Sequence, residues 1–442
     1  DTPSGSTSSS SSSGSSNSSS SSETPKTEVS KTQPVIVDGK KLDIGNQKVS
    51  SGETNFTLDQ KQFTSYIEKA EVGSEAIIPI TANTDKVKAG LNLQNIKDMS
   101  DKSISLKVEN QKVTYAIPSN AIDISAVANG LGVSNLKDIS VEIILEKTDK
   151  GAIKQVKSTM EAQKGEIIGT PMKFEIKASA DGKEVKIESF NTYVKNSLEV
   201  SEKEAKEITT AVIILPDGSM RHVPTRLSNK DGKQIVDISS KTNGTYVLVK
   251  SNVAYSDAKG KWYERVANEL GSRMITKCLD KANTNTIQGE KDITREEFAA
   301  LLVNALGLPQ TSNAAANFSD IADSNYTDEI GAAYEYGIIN GLTQTTFAPN
   351  KTITRQEAMV MLQRAAKIAE LTSQGGNAVS FKDASKVSNW AQDAVAFNVE
   401  NGLIVGSNGQ IKPQDTITRA ESMVAILRLL QKSNLIDVKV EV

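Results

Sequence analysis

The sequence predicts a multidomain chain in which a β-rich central domain, sandwich-like and of the α+β class, precedes an all-α repeat region. Two observations predict this order. Between residues 35 and 250, short β-branched segments alternate with turn pairs, a pattern typical of strands. From residue 251 onward, apolar residues recur at helical spacing and one layout occurs three times. A chain of 442 residues has room for roughly two to four domains.

Residues 1–34 are predicted to be a disordered Ser-rich linker. Residues 1–22 include fifteen serines. Such a tract lacks the apolar side chains that could offset the entropy lost on ordering. The chain begins at Asp1 without a basic and apolar leader, so we expect a mature secreted product or a fragment of a longer protein. No run approaches the ~18 apolar residues of a membrane span.

The composition argues against most catalytic and metal chemistry. The net charge is −3, with 51 basic and 54 acidic side chains, so no general attraction to nucleic acid or anionic membrane is expected. The single histidine, His222, and the single cysteine, Cys278, exclude a Cys/His metal cluster and a disulfide within the chain. We therefore expect no cofactor, no metal and no enzyme, although catalysis by carboxylates alone passes this filter.

The central domain, residues 35–250, shows repeated hairpin signals. Turn pairs such as Asp217-Gly218 separate β-branched segments. Strands are predicted over residues 103–108, 112–117, 172–178, 183–188, 209–215, 220–225, 234–238 and 244–249. Short helices are predicted over residues 58–70, 93–99 and 201–206. We expect His222 to be a half-exposed strand residue rather than a ligand.

Three copies of one helical layout follow, over residues 251–309, 318–370 and 381–434. Each copy opens with an aromatic residue two positions before an aspartate, at an even period of 63 residues. An aromatic residue then stands at a helix start, and Ile-Thr-Arg-x-Glu begins a second, apolar helix. The opening pairs are Tyr255/Asp257, Phe318/Asp320 and Phe381/Asp383; the helix-start aromatics are Trp262, Tyr326 and Trp390. Repeat arrays are usually binding or structural devices.

The Thr-Arg-x-Glu segment predicts a capping box in each copy, with the threonine as N-cap and the glutamate at N3. The arginine at N1 is not explained by capping, because a cation there opposes the helix dipole at a cost of ~0.3–1 kcal/mol. Two explanations remain open. The arginine has a carboxylate partner in another repeat, or it binds an anionic ligand at the helix N-terminus. The arginines are Arg295, Arg355 and Arg419.

Other repeated residues also have two interpretations. The aspartates form local turns or accept hydrogen bonds from sugar hydroxyls. The tryptophans are expected to be partly core and partly groove wall. Gly337 and Gly402 are predicted αL caps, and Gly341 and Gly406 follow where a ligand could approach the backbone.

These residues resemble the S-layer homology (SLH) domain, whose signature is F-x-D, a Trp-led helix, a G-(I/L)-(I/V)-x-G turn and I-T-R-A-E. Residues 417–421 match the last element fully, and the resemblance covers about 190 residues. The β-rich region is more weakly similar to the lead-in domain found ahead of such repeats in Gram-positive surface proteins. The resemblance implies a pseudo-threefold SLH unit with one helix from each copy in a central bundle.

The resemblance also implies a ligand. Grooves between the lobes would bind the peptidoglycan-linked secondary cell-wall polysaccharide, often pyruvylated, and the anionic pyruvate would account for the arginines. The implied carbohydrate-binding residues are Asp320, Gly341 and Arg355 in the second copy, Asp383, Trp390, Gly406 and Arg419 in the third, and Asp257, Trp262 and Arg295 in the first. The first copy departs, with Arg273 and Lys277 expected at its glycine positions. Tyr326 replaces tryptophan in the second.

Non-covalent anchoring of a secreted protein to the Gram-positive cell wall is the leading functional hypothesis, with the chain as one end of a larger scaffold as one form of it. The alternative is an S-layer lattice protein whose β-rich domain makes lateral contacts. A third hypothesis makes the β-rich domain a glycan-processing module, which needs two carboxylates ~5–10 Å apart in a cleft.

Overall fold

The computed structural model describes residues 29–148, 154–162, 165–280, 282, 284–310, 317–373 and 381–441. The Ser-rich tract predicted to be disordered lies outside these residues. The first strand begins at Val29, so the predicted linker boundary at residue 34 is too late. Residues 29–34 read Val-Ser-Lys-Thr-Gln-Pro and carry one large apolar side chain, so the sequence gives them no strand signal although they form the start of this strand.

The β-rich region contains sixteen strands among the described residues. They are β1 Val29–Val37, β2 Lys40–Ser50, β3 Glu53–Leu58, β4 Glu75–Ile80, β5 Lys86–Asn92, β6 Ser105–Asn110, β7 Val113–Ile117, β8 Ser140–Lys147, β9 Glu166–Ala180, β10 Lys183–Lys186, β11 Ser189–Val200, β12 Thr210–Ile214, β13 Met220–Val223, β14 Thr225–Lys230, β15 Lys233–Thr242 and β16 Gly244–Lys250. Each of the eight predicted strand segments overlaps one or more of them.

These strands form one sheet, in the order β13-β12-β16-β9-β8-β5-β3-β2-β1-β4-β6-β7-β11-β15-β14, with β10 paired to β9. The end strands β13 and β14 are consecutive in sequence and joined by Pro224 alone, which brings the two edges together. The sequence predicts a sandwich; the described strands instead form a single, nearly closed sheet. Phe56, Tyr115 and Phe174 are among the large side chains fully buried in its core.

In the described part of this region, five α-helices accompany the sheet: α1 Gln60–Lys69, α2 Leu93–Asp101, α3 Ile124–Leu131, α4 Lys154–Ala162 and α5 Glu202–Glu207. The three predicted helices correspond to α1, α2 and α5. The side chains of Asp59, Asn92 and Ser201 cap their N-termini.

The C-terminal region contains two α-helices in each repeat. They are α6 Glu264–Ser272 and α7 Arg295–Ala305, α8 Thr327–Glu335 and α9 Arg355–Ile368, and α10 Gln392–Glu400 and α11 Arg419–Lys432. The second helices, α7, α9 and α11, pack against one another. Each first helix packs against the second helix of the preceding copy, α8 on α7, α10 on α9 and α6 on α11. One continuous apolar core therefore serves all three copies.

Backbone hydrogen bonds tie the three copies into a closed cycle. The N–H of Ile293 donates to the carbonyl of Ile417 at 3.0 Å, Ile417 donates to Ile353 at 3.3 Å, and Ile353 donates to Ile293 at 3.2 Å. Each isoleucine lies two residues before the arginine that begins a second helix, so the three helix starts converge at one point. The copies therefore form a ring rather than an open array.

The β-rich region packs against the ring through buried polar groups. The guanidinium of Arg273 is fully buried and donates to the carbonyl of Thr225 at 3.0 Å and to Asp437 at 3.1 Å. The Tyr193 hydroxyl donates to the carbonyl of Leu306 at 2.8 Å. His222 is buried rather than half-exposed, because its strand β13 packs against α7.

Candidate ligand-binding grooves

The arginine at each helix start reaches into the next copy. Arg295 Nε donates to the carbonyl of Phe347 at 2.9 Å, and Arg355 Nε donates to Ile411 at 2.9 Å. Arg419 Nη1 donates to the carbonyl of Ile287 at 3.0 Å, which closes the cycle. All three side chains are buried.

The carboxylate partner of each arginine is the N3 glutamate of the next copy. Arg419 Nη2 lies 2.5 Å from Glu297 Oε1, Arg355 Nη1 lies 2.9 Å from Glu421 Oε1, and Arg295 Nη1 lies 3.8 Å from Glu357 Oε1. These glutamates also complete the predicted capping boxes, all three of which are present. The structure thus supplies the carboxylate from another repeat, one of the two explanations that the sequence leaves open.

The repeated aspartates hold a distant loop. Both carboxylate oxygens of Asp320 accept backbone N–H groups, from Phe347 at 2.9 Å and Ala348 at 2.7 Å. Asp383 and Asp257 make the equivalent pairs of bonds in their own copies. Burial alone would raise the pKa of Asp383, but the two N–H donors outweigh it and keep the pKa below its ordinary value. The aspartates therefore fix the loop whose carbonyl receives the arginine.

The glycines also have roles within the fold. Gly337 and Gly402 adopt φ values of +68° and +62° just after their helices, as predicted for αL caps. A Cβ on Gly341 would lie 2.1 Å from the Thr343 carbonyl oxygen, and one on Gly406 would lie 2.3 Å from the Phe381 ring. Because Gly341 and Gly406 have no side chain, the backbone turn of the protein packs against Gly341 and the Phe381 ring packs against Gly406.

The two tryptophans are far more exposed than the predicted mixture of core and groove wall. Trp262 is 65% exposed and Trp390 is 60% exposed. Each stands two residues before its first helix, whereas Tyr326 stands one residue before α8 and is buried. Tyr326 therefore does not replace tryptophan. The equivalent position is Asn325, and the misassignment arose because the nearest aromatic residue was aligned.

Each tryptophan lines a groove with residues from the two other copies. The Trp390 groove, about 380 Å³, also contains Arg295, Gly341, Glu357 and Arg364. The sequence lists the candidate residues by copy, whereas this groove combines Arg295, Gly341 and Trp390 from three different copies. The cause is the packing of each copy on its neighbour, which brings Arg295 of the first copy to Gly341 of the second.

The Trp262 groove, about 450 Å³, repeats this arrangement one step round the ring. It contains Arg355, Gly406, Glu421 and Arg428 beside Trp262. Although the first copy departs from the signature, its Trp262 lines this groove and its Arg295 lines the Trp390 groove.

Arg364 and Arg428 are groove residues that the sequence analysis missed. Each lies nine residues after the helix-start arginine of its own copy, and each donates to a backbone carbonyl, of Ile338 and Leu403 respectively, at 3.4 Å. Burial lowers the pKa of both guanidinium groups. The second and third copies thus share an arginine at this position, whereas the first copy has Asn304. A position-by-position comparison of the copies would reveal this pair.

The third position of the ring has a different lining. The Tyr326 hydroxyl donates to the carbonyl of Cys278 at 2.8 Å, and Cys278 stands where the other copies have Gly341 and Gly406. The hydrogen bonds after α6 show that Met274, with φ +64°, takes the αL position. The predicted register of Arg273 and Lys277 at the glycine positions is therefore wrong by one residue, because no glycine marks the helix end.

The described part of the chain contains no cluster of His, Cys, Asp or Glu side chains placed to hold a metal ion. In the same residues no helix has the length and apolarity to cross a membrane.

Comparison with known proteins identifies the second and third helical copies. The family model for the S-layer homology domain matches residues 317–359 and 380–421. The surface-layer 125 kDa protein of Lysinibacillus sphaericus is 40% identical over 146 residues, which are 32% of this chain and 12% of that protein. Exoglucanase XynX of Acetivibrio thermocellus is 32% identical over 190 residues, covering 42% of this chain and 17% of the relative.

A third relative, the cellulosome-anchoring protein of Acetivibrio thermocellus, is 32% identical over 152 residues, which are 33% of this chain and 34% of that protein. The matched region thus spans only about a third, or less, of the length of these curated relatives. Their names describe S-layer and anchoring proteins, and an enzyme most of whose length lies outside the match. The chain therefore carries the S-layer homology domain at residues 317–359 and 380–421, and the relatives that share this region include surface-layer and cell-surface anchoring proteins.

Proposed function

We propose that this chain anchors a secreted protein non-covalently to the Gram-positive cell wall by binding the peptidoglycan-linked secondary cell-wall polysaccharide. The binding sites are the Trp390 groove and the Trp262 groove, in a pseudo-threefold unit of three SLH repeats. The ligand carries a pyruvylated, anionic sugar. The observation that carries the proposal is an exposed indole facing a groove with buried guanidinium groups, present twice with the same construction.

The chemistry of each groove suits an acidic sugar. An exposed indole offers an apolar face on which the C–H side of a sugar ring packs. The Arg364 and Arg428 guanidinium groups are only partly buried. Arg428 donates to the carbonyl of Leu403, and Arg364 donates to the carbonyl of Ile338 and to the side-chain oxygen of Asn340. A guanidinium has five N–H donors, so donors remain for a carboxylate or hydroxyls. Two weak sites in one rigid unit gain avidity for a repetitive polymer, by a factor of about 10²–10⁴.

Individual site residues divide into two groups in this proposal. Trp262, Trp390, Arg364 and Arg428 contact the polysaccharide. The helix-start arginines, the aspartates and the glycines contribute mainly by holding the groove walls, since their polar atoms are engaged within the protein. The enzyme names of some relatives are not transferred, because the match covers at most 17% of the exoglucanase.

The alternative is an S-layer lattice protein in which the β-rich region makes lateral contacts. It is supported by relatives named as S-layer proteins, for example that of Bacillus anthracis, which is 30% identical over 184 residues. The two functions are compatible in one protein, since a lattice protein also needs attachment to the wall. Formation of ordered sheets by the purified full chain, without walls, would favour the lattice.

Co-sedimentation of the full chain with purified Gram-positive cell walls tests the anchoring proposal. We expect the chain to pellet with intact walls and to stay in the supernatant with walls chemically stripped of polysaccharide. The double variant Trp262→Ala/Trp390→Ala should lose sedimentation, while Val72→Ala, which removes an exposed apolar side chain of the β-rich region, should not. Equal binding to stripped walls would refute the polysaccharide as ligand.

A further inference from the structure

A second cavity, of about 750 Å³, lies between the β-rich region and the second SLH repeat. Its β-rich wall includes Thr192 of β11 and Lys241 of β15, and its other wall includes Tyr336, Arg364 and Lys367. The matched SLH segments do not include the β-rich wall. We refer to it as the interdomain cavity.

Lys241 is an unusual feature of this cavity. Its side chain is 3% exposed, and its Nζ donates to the Asn191 carbonyl at 2.5 Å. The ammonium lies 5.4 Å from the Tyr193 ring centroid and 5.7 Å from that of Tyr336. No carboxylate of the described residues pairs with it within 4.0 Å. A buried ammonium is costly unless its remaining N–H donors find acceptors, and burial accordingly lowers its pKa.

The cavity lining carries more basic than acidic groups. Lys241, Arg364 and Lys367 face it, against the carboxylates of Glu335 and Glu370. Glu370 already accepts a hydrogen bond from the Thr192 hydroxyl. Amide side chains complete the lining, those of Asn120, Asn191 and Asn340. Such a set of cations and amides matches a hydroxyl-rich ligand with a carboxylate.

The interdomain cavity adjoins the Trp390 groove, because Asn340 and Arg364 line both. The Trp262 groove has the equivalent residues Val405 and Arg428, but its lining includes no residue of the β-rich region. The two grooves are therefore alike in their SLH residues and different in their continuation. A ligand longer than the Trp390 groove would extend into the interdomain cavity. The same ligand bound in the Trp262 groove would not contact the β-rich region.

We propose that the interdomain cavity is a further subsite, which binds an acidic sugar residue of the polysaccharide segment that continues from the Trp390 groove. Lys241 and Lys367 bind its carboxylate, with the amide side chains bonding to its hydroxyls. This inference rests on the proposed function, and it assigns to the β-rich region a part in ligand binding. It makes the Trp390 groove the higher-affinity site for fragments of more than one repeating unit.

Binding at each groove can be measured separately by tryptophan fluorescence, because each groove contains one of the two tryptophans of the chain. In the full chain with Trp262→Phe, fluorescence reports the Trp390 groove alone, and Trp390→Phe gives the reverse. The probe is a fragment of purified wall polysaccharide two or three repeating units long. Into each background we would introduce Lys241→Met, which keeps an unbranched chain between the tyrosines, or Lys367→Gln, which changes an exposed side chain.

We expect either lysine substitution to weaken binding about tenfold at the Trp390 groove and to leave the Trp262 groove unchanged. Lys432→Gln, an exposed lysine in the last turn of the equivalent helix α11, is the matched control and should change neither. If Lys241→Met impairs folding, the binding measured for Lys367→Gln alone tests the subsite. Unchanged binding at the Trp390 groove, or equal weakening at both grooves, overturns the subsite while leaving anchoring intact. Absence of any binding by the parent chains overturns both.

Discussion

Arg419 and Glu297 join the last SLH helix to the first copy through two hydrogen bonds, although 122 residues separate them. The distances are 2.5 Å from Nη2 to Oε1 and 3.3 Å from Nε to Oε2, and both side chains are less than one-tenth exposed. Burial alone would raise the pKa of Glu297, but the hydrogen bonds and charge of Arg419 outweigh it and lower the pKa. The ring of copies is thus closed by a buried ion pair.

Arg419→Ala should destabilise the fold more than Arg355→Ala. Removing Arg419 leaves the buried Glu297 carboxylate with the Lys291 ammonium, 3.7 Å away, as its remaining cation, and the loss of a hydrogen-bonded partner from a buried charge costs up to about 3–5 kcal/mol. The Arg355 partner, Glu421, has a side chain 38% exposed, so water can replace the lost hydrogen bond and we expect about 1–2 kcal/mol. Urea denaturation of the full chain, followed by far-UV circular dichroism, measures both free energies of unfolding.

The double variant Arg419→Ala/Glu297→Gln is the control for this comparison. It removes the orphaned charge, so it should be more stable than Arg419→Ala alone. Equal losses from Arg419→Ala and Arg355→Ala would mean that burial of the partner does not govern the cost.

Asp383→Ala and Trp390→Ala should separate structural from ligand-binding roles. The aspartate change leaves the N–H groups of Ile411 and Lys412 without acceptors, at a cost of about 1–3 kcal/mol for each one that stays buried. The tryptophan is 60% exposed, so its removal should leave stability nearly unchanged and abolish binding at its groove. Thermal denaturation and polysaccharide titration of both variants test this contrast. A stable Asp383→Ala variant that no longer binds would instead make the aspartate a direct ligand contact.

The local features of the ring were predictable from the residues, whereas the particular residue pairs that close it were not. Thr294 with Glu297 is a capping box because the two residues are three positions apart, and such short-range chemistry is legible in a sequence. The partner of Arg419 is 122 residues away, and only the packing of the copies brings it close. The same applies to Trp390, which lines a groove whose arginine and glycine belong to the other two copies.

The register of the first copy was predicted wrongly because no glycine marks the end of its first helix. Gly337 and Gly402 mark the helix ends in the other copies, but Met274 adopts the positive φ in the first, so no glycine fixed the register. In the β-rich region, hairpins with clear turn signals were found. The pairs β3 with β5 and β4 with β6 are parallel and join strands that are not consecutive. Such pairing could not be predicted from the sequence because no short turn connects the two strands.

His222→Gln should flatten the dependence of stability on pH between about 5 and 6.5. Burial and the nearby Arg273 and Arg221 lower the pKa of His222 from 6.5 to about 3, and its Nδ1 lies 3.2 Å from the Thr210 hydroxyl. The neutral ring is therefore favoured in the folded state. Below pH 6.5 the unfolded chain binds a proton that the folded chain does not, so the free energy of unfolding falls with falling pH by at most about 1.4 kcal/mol per unit.

Urea denaturation at pH 7.0, 6.0 and 5.0 measures this slope in the parent chain and the variant. Carboxylates with lowered pKa values, such as Glu297 and Asp383, have ordinary values of 4.5 and 3.8, so most of the stability that they contribute is lost at lower pH. Identical slopes in the two proteins would show that His222 is as easily protonated in the folded chain as in the unfolded one.

The chain should bind two short polysaccharide fragments rather than three. At the third position of the ring, the Tyr326 hydroxyl is bonded to the Cys278 carbonyl and Asn325 occupies the tryptophan position. A buried tyrosine held in this way leaves no exposed indole for a sugar ring to contact. Isothermal titration calorimetry of the full chain with a fragment too short to bridge two grooves should give a stoichiometry of about two, since each open groove takes one fragment. Trp262→Ala and Trp390→Ala should each reduce it to about one, and the double variant to none. Persistence of one bound fragment in the double variant would contradict the two-groove arrangement.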